Sequence, residues 1–385
     1  MKLNQEIKLP NISFDFLNKL KFKGKRIKFP KEYIAVDLGS FALKAVEFNL
    51  KDRTIEKVFY YPWDTALKST QIIEIIKSSS FISELGSLLL NNGFRSKNIL
   101  VQASNYNLVM RPMSLPPNIP EYEIGHVLRT SLEDEIPYTI DEVYYDFAIE
   151  DRSKKETLIN VYAAQKDYID AVIDMFNKLR YEVYQIGVPS NLVWNTIKYN
   201  YLEDDDLDDS DLFVSIDIGY NTTIITIFSS DKVFLYRTLS YGGAHFTRAI
   251  EKDYNLSELQ AEHFKCQKGI EKVNDNENLL QIQQEIFNQI WRSIQYVISR
   301  NRMYILKGIY LSGGSANLKG FDMKLKRYLE IQNINMSQSV NIRIVDPFKY
   351  IDLVDGIDES EFKHISSTFT NVIGLALGGT EDENY

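Results

Sequence analysis

The chain has 385 residues, 44% of them hydrophobic and 25% charged, with a single cysteine, Cys266. That balance fits two globular domains and excludes collagen-like and low-complexity classes. One cysteine also excludes an intramolecular disulfide and Cys-rich zinc or iron–sulfur sites carried by one chain, and the four histidines (His126, His245, His263, His364) are scattered and fall in no HExxH spacing.

The net charge of −9 conceals a basic start. Residues 1–31 hold nine cations against Glu6 and Asp15, a balance of +7, which leaves −16 for the rest. An acidic body argues against nucleic-acid binding. The basic arm interleaves Phe14, Phe16, Leu17, Leu20 and Phe22 with lysines and closes at Phe29-Pro30. It is expected either to trail as a solvated tail or to make a peripheral contact with anionic lipid through residues 1–30. No apolar run reaches the roughly 18–20 residues of a spanning helix, and no apolar signal core is present, so a reducing compartment is expected.

After the arm, Tyr33-Ile34-Ala35-Val36-Asp37-Leu38-Gly39-Ser40 reads as an apolar strand ending in an Asp-x-Gly turn, with a second β-rich run at Leu43–Phe48. Leu108–Pro112 looks like the end of a strand, Glu121–Glu135 has helical periodicity, Val143–Ile149 and Leu158–Ala163 read as strands, and Tyr168–Leu179 as a helix. A small inserted α/β subdomain is therefore placed at 108–186, with 32–107 as the first part of its parent domain and 187–202 as a return helix. Seven acids within Glu203–Asp211 mark an exposed linker. A calcium loop is the alternative there, but the run lacks the turn glycine and terminal Glu of an EF-hand. The second domain spans 212–379, before a short tail at 380–385. It opens on Phe213-Val214-Ser215-Ile216-Asp217-Ile218-Gly219-Tyr220, an echo of the first strand and turn at an offset of 180 residues without a gap. A long helix with its apolar stripe at Ile282–Ile298 then feeds a strand, Gly308–Leu311, and the turn Ser312-Gly313-Gly314-Ser315. Two spaced copies of one unit indicate a duplicated α/β domain and not a solenoid.

An Asp at a strand end can hold hydrated magnesium, and glycine beside it admits close backbone approach to phosphate. Asp37, Gly39, Ser40 and Lys44 offer one such loop, and Asp217, Gly219, Asn221, Thr222 and Thr223 another. Gly313 and Gly314 leave room for a flat ring against bare backbone. Glu262 and Lys265 share one helical face at i, i+3, fit either for ribose hydroxyls or for pairing with each other.

The set Asp37-Leu-Gly-Ser40, Asp217-Ile-Gly-Tyr-Asn-Thr-Thr223, Leu311-Ser-Gly-Gly314 and Gly374-Leu-Ala-Leu377 resembles the nucleotide-binding superfamily of actin, hexokinase and the heat-shock chaperones. More narrowly, the chain resembles the PilM family of type IV pilus machines from about residue 33 to 379. Arg111-Pro-Met-Ser-Leu-Pro116, Glu135-Ile-Pro-Tyr138, Val143-Tyr-Tyr-Asp146, Tyr241-Gly-Gly243 and Val345-Asp-Pro-Phe348 add to the match.

The resemblance implies an actin-like (RNase H-like) duplicated α/β fold with an inserted subdomain of FtsA/PilM type. It implies ATP and Mg2+ as ligands. Asp37, Gly39, Ser40 and Lys44 would form the first phosphate loop, and Asp217, Gly219, Thr222 and Thr223 the second. Glu262 and Lys265 would meet the ribose, Gly313 and Gly314 would lie along the adenosine, and Asp37 and Asp217 would hold magnesium through water. The implied role is a cytoplasmic scaffold, peripheral to the inner membrane, with weak or no ATPase activity. Its partner would be the N-terminal peptide of a PilN-like bitopic protein, with the motor ring and homo-oligomerisation as further contacts. Three other roles on this fold compete. A GspL-like secretion component usually continues into a membrane helix, and an FtsA-like division protein usually ends in an amphipathic one. A small-molecule kinase needs a general base after the first phosphate loop, where Glu47 stands only at strand spacing. For the peptide, the expected walls are Leu108–Arg111, with the chain leaving the sheet at Pro112, and Glu135–Tyr138, where a helix stops before Pro137 and presents an aromatic.

Overall fold

The computed structural model describes residues 30–63, 67, 71–103, 107–202, 207–208, 210–230, 232–270, 277–300, 303–332 and 336–378, with side chains omitted for 336–339. The basic arm to residue 29, residues 203–206 and 209 of the acidic run, and the tail from 379 lie outside the described residues, as do the readings that rest on them.

The first strand of each copy is apolar almost throughout, and each becomes the centre of a sheet. β1 (Glu32–Leu38) and β9 (Asp211–Ile218) are buried along nearly their whole length, as strands covered on both faces must be. From β1 the chain turns back antiparallel through β2 (Ala42–Asn49) and β3 (Thr54–Pro62), while β4 (Asn98–Gln102) and β8 (Glu182–Gly187) add in parallel on its other side. A two-residue strand, β14 (Asp352–Leu353), completes the order β14-β3-β2-β1-β4-β8. The second copy repeats it with β10 (Thr223–Phe228), β11 (Val233–Leu239), β12 (Ile305–Ser312) and β13 (Met336–Ile344), in the order β11-β10-β9-β12-β13. A meander of three strands followed by two parallel ones, made twice, is the actin-like, RNase H-like arrangement.

Helices fill equivalent places. Between β3 and β4 stand α1 (Ile72–Lys77) and α2 (Ser79–Asn91), the latter capped by the Ser78 side chain, which accepts the Phe81 N–H at 3.4 Å. The second copy has α6 (Gly243–Tyr254), α7 (Glu258–Lys268) and α8 (Glu277–Arg300) between β11 and β12. Leu279, Ile286, Phe287, Ile290, Ile294 and Val297 of α8 bury against Ile216, Ile225 and Ile309 of the sheet, the stripe that its periodicity requires. The parallel crossovers are α4 (Lys166–Lys178) from β4 to β8 and α9 (Phe321–Ile331) from β12 to β13. No helix among the described residues is long and apolar enough to cross a membrane.

The insert interrupts the first crossover, between β4 and α4. It is a sheet of β5 (Leu108–Leu115), β6 (Val143–Arg152) and β7 (Thr157–Gln165) in the order β5-β7-β6, all antiparallel. Helix α3 (Glu121–Ser131) lays Ile124 and Leu128 over Ile159, Val161 and Ala163. Two expectations are corrected here. β5 does not leave the sheet at Pro112: it continues to Leu115 with Pro112 opposite Asn160, because an edge strand tolerates a residue without a ladder donor. The inserted sheet also closes at Gln165 and not near 186, since β8 pairs with β4 of the larger sheet.

By its internal contacts the chain divides into a unit of Met1–Leu192, Ile351–Ile357 and Asn371–Tyr385, and a unit of Val193–Tyr350 and Asp358–Thr370. The division falls inside α5 (Pro189–Ile197), where the sequence suggested a return helix ending at 202. It also assigns most of α10 (Thr370–Gly378), with Gly374–Leu377, to the first unit, where Ala376 O accepts the buried Tyr33 hydroxyl at 2.6 Å.

Candidate functional site

Within the second unit, three turns meet at the carboxyl end of β9. Asp217 is the penultimate residue of that strand and stands opposite Ser312 of β12 and Ile224 of β10. Its turn closes by Gly219 N–H to Thr222 O at 2.9 Å. The first residues of α6 lie against it: Gly243 N–H donates to Gly219 O and Ala244 N–H to Tyr220 O, both at 2.9 Å. A Cβ on Gly242 would meet Gly219 O, Thr222 N and Tyr220 O at 2.7 Å each, so only glycine fits there. From the third turn, Ser315 N–H donates to Ile218 O and Gly313 N–H to Ser367 O, each at 3.0 Å.

The glycine pair in that third turn is asymmetric. Gly313 sits at φ +85°, and a Cβ on it would overlap Asp217 Oδ1 and the Ile218 carbonyl. Gly314 faces open space. Gly313 thus seats Asp217, and Gly314 alone offers bare backbone to a flat ligand. In the Asp217 turn, Thr222 and Thr223 are buried, and the Thr223 hydroxyl has no partner among the described residues. Half-buried Asn221 is left as the donor side chain that can reach a ligand. Burial pushes the Tyr220 phenol up, and Glu258 and Glu262 push it further, so this ring stays neutral at the turn.

Glu262 and Lys265 do pair, with Nζ and Oε2 2.7 Å apart. The pair is not a plain surface one, because Lys265 is 6% exposed and also donates to Gly243 O at 3.2 Å and Thr247 Oγ1 at 3.0 Å. Thr247 of α6, which the sequence did not single out, also donates to Glu262 Oε2 at 2.6 Å. No spacing rule links a threonine on one helix to a carboxylate fifteen residues later on another.

In the first unit, Asp37 and Lys44 stand opposite each other on β1 and β2, and Lys44 Nζ lies 2.6 Å from Asp37 Oδ2. Gly39 makes room for that lysine: a Cβ there would sit 2.6 Å from Nζ and 2.9 Å from Ala42 O. Ser40 is half-buried, and its turn is strapped from outside. Trp63 Nε1 donates to Gly39 O at 2.9 Å, Trp63 N to Phe41 O at 3.0 Å and Leu67 N to Ser40 O at 2.7 Å. Glu47 points away from any such task. It is 2% exposed and accepts the Arg95 and Ser96 amides at 2.9 and 2.6 Å, clamping the loop before β4.

The carboxylates fit magnesium unequally. Asp37 already neutralises an ammonium at contact distance, and Asp217 lies in register with Ile224 of β10 and Ser312 of β12, where the three turns meet. The described residues contain no group of three or more His, Cys, Asp or Glu able to hold a metal ion. An ion held here would keep most of its water, as magnesium prefers.

A family model described as type IV pilus assembly protein PilM matches residues 35–380. Among solved structures, the chain is similar to a PilM–PilN type IV pilus biogenesis complex at 22% identity, covering 91% of this chain and 99% of that one, with a TM-score of 0.74. Weaker likenesses are to the ethanolamine utilization protein EutJ from Carboxydothermus hydrogenoformans (14% identity, 95% and 96% covered, TM-score 0.46) and to MreB5 of Spiroplasma citri bound to ADP (12%, 92% and 99%, 0.48). The matched span takes in both sheets, the insert between β4 and α4, and all three turns around Asp217, and on it the chain belongs to the PilM family of type IV pilus assembly proteins.

Proposed function

We propose that the chain is an ATP-binding cytoplasmic scaffold at the inner membrane that captures the N-terminal peptide of a PilN-like bitopic protein and links it to the pilus motor. The observation that carries the reading is the family match over both units and the insert. The similar solved structure is a complex of PilM with PilN, which supports a PilN-like partner.

For the peptide, the insert offers a groove of about 490 Å3 lined by Gly125 and Arg129 of α3, Ile140, Asp141, Tyr144–Phe147 and Lys166. It runs beside β6, whose outer edge has no strand partner among the described residues. An extended segment can add to such an edge by main-chain bonds and place alternate side chains in the groove. The rim expected at Glu135–Tyr138 serves this less well. Arg111 Nε donates to Glu135 O at 2.9 Å, Ile136 is in the core, and Tyr138 packs against it.

For the nucleotide, Gly314 would receive the adenosine, Glu262 a ribose hydroxyl, and Asn221 with the Gly219 turn the phosphates, while Ser40 and Lys44 form the phosphate loop of the first unit. Magnesium, when bound, would neutralise phosphate charge, with Asp217 holding it through water. In this reading Asp37 orients Lys44 and does not serve the ion. The kinase alternative loses Glu47, its one candidate base, to the clamp on Arg95 and Ser96. Contacts with the motor ring, with a second copy, and with lipid through residues 1–30 complete the scaffold role.

Calorimetry tests both halves of the reading. The purified chain should bind ATP with magnesium, and separately a synthetic peptide from the partner's cytoplasmic N-terminus at one to one. Asp217→Ala should weaken the first and leave the second. A folded chain that binds neither overturns the scaffold reading.

A further inference from the structure

The cluster around Lys265 distinguishes groups that can touch a ligand from groups that cannot. An ammonium has three protons, and those of Lys265 have three acceptors: Gly243 O, Thr247 Oγ1 and Glu262 Oε2. With 6% of its surface exposed, the residue has no donor left to offer outward. Thr247 is 4% exposed and equally out of reach. Its single hydroxyl proton has two acceptors nearby, Glu262 Oε2 at 2.6 Å and Gly243 O at 3.0 Å. The shorter contact is to the carboxylate, whose charge makes it the stronger acceptor. Glu262 alone reaches solvent, with 37% of its side chain exposed.

Two donors from the protein interior therefore converge on one carboxylate oxygen, Oε2. The other, Oε1, lies 3.7 Å from Cys266 Sγ, a weak donor, and keeps capacity for a stronger one. A glutamate on an exposed helix face samples many rotamers. One held at Oε2 by a buried cation and a hydroxyl presents Oε1 in a fixed direction. The same cation holds the Gly243 carbonyl, and the Gly243 amide is bonded to the Gly219 turn. The carboxylate and the second phosphate turn thus share an anchor.

We infer that Thr247 is a positioning residue for ribose recognition: with Lys265 it fixes the Glu262 carboxylate to accept a ribose hydroxyl, and neither Thr247 nor Lys265 touches the nucleotide. The inference rests on the nucleotide reading above and departs from the expectation that Lys265 meets the ribose. A plain structural tie between α6 and α7 would also use these bonds, but it would not make ribose discrimination depend on the Thr247 hydroxyl.

The test is a set of dissociation constants for ATP, 2′-deoxy-ATP and 3′-deoxy-ATP, measured on the full chain and on Thr247→Val, Thr247→Ala and Thr247→Ser. The wild type should bind at least one deoxy analogue about 10-fold or more weakly than ATP, the scale of one hydrogen bond to a charged acceptor. In Thr247→Val that ratio should fall to within about 2-fold, and Thr247→Ser, which keeps the hydroxyl, should restore it. Thr247→Ala adds no bulk and carries the same comparison if the valine variant does not fold. A wild type that binds ATP without discriminating either analogue overturns the inference, and so does a valine or alanine variant that discriminates as well as wild type. A wild type that binds no nucleotide at all instead overturns the reading on which it rests.

Discussion

Gly313 and Gly314 are chemically identical neighbours with opposite tolerances. At Gly313 a side chain would need a left-handed φ of +85° and would overlap Asp217 and Ile218. Strain of that kind costs on the order of 1–3 kcal/mol, and the overlap adds to it. Gly313→Ala is therefore expected to lower the urea midpoint clearly, while Gly314→Ala leaves it unchanged. Gly314→Trp, whose Cβ meets nothing within 4 Å, should abolish ATP binding by filling the proposed place of the adenosine, with circular dichroism checking that it folds. A Trp variant that folds and binds ATP normally would remove Gly314 from the site. The Asp37–Lys44 pair is a second residue-scale case. Its side chains are 9% and 12% exposed, and removing one member of a nearly buried pair leaves an uncompensated charge at a cost of about 3–5 kcal/mol. Lys44→Met should show that loss in chemical denaturation, and adding Asp37→Asn should recover much of it. Recovery in the double variant separates the uncompensated charge from lost packing.

The elements dictate how the insert can be removed. Its ends are tied together, since Gln165 N–H donates to Asn107 O at 3.1 Å, and the side chains of the same two residues are hydrogen-bonded. Excising residues 108–165 therefore closes with little rearrangement and leaves β4, α4 and β8 intact. Excising 108–186 also removes α4 and most of β8, the outermost parallel strand of the larger sheet. The shorter deletion should stay folded by circular dichroism, keep its nucleotide affinity and lose the partner peptide; the longer one should not fold. Peptide binding that survives the shorter deletion would rule out the groove beside β6. The difference between the deletions also marks what the chain discloses before it folds. A strand, a turn and a returning strand are local, so the copies at Asp37 and Asp217 could be read from an offset of 180 residues, and both became hairpins about a central strand. Whether Glu182–Gly187 joins the small sheet or the large one depends on its pairing with Asn98–Gln102, far back in the chain, and periodicity carries nothing about that. The site divides along the same line. Glu262 and Lys265 stand out by helical spacing, whereas Thr247, the strap from Trp63 and Leu67, and the distinct tasks of Gly313 and Gly314 exist only through tertiary contact.

Taken whole, the molecule makes one supersecondary unit twice and gives the copies different chemistry. The first turn carries an aspartate answered by a lysine; the second carries an aspartate with isoleucine in the matching place. Hydrolysis of ATP needs a group that orients or deprotonates the attacking water, and among the described residues three carboxylates considered for the site each already have a partner. Asp37 is held by Lys44, Glu47 by the Arg95 and Ser96 amides, and Glu262 by Thr247 and Lys265. Asp217 is the carboxylate that the proposed reading reserves for the ion. His245, at the start of α6, does not compensate: it turns Nδ1 to the Gly242 amide at 3.1 Å, and burial together with Arg248 holds its pKa below the usual histidine value, so it is neutral and already in use near pH 7. On the proposed reading, a fold built this way is expected to hold nucleotide as a structural ligand and to turn it over slowly. Phosphate release under saturating ATP and magnesium should run far below the enzyme median of about 10 per second, and added partner peptide should not raise it to that level. ATP should at the same time raise the melting temperature, because it binds the folded state selectively. Turnover near the enzyme median would mean that a water-orienting group exists outside these loops, and it would return the chain to the class of phosphoryl-transfer enzymes.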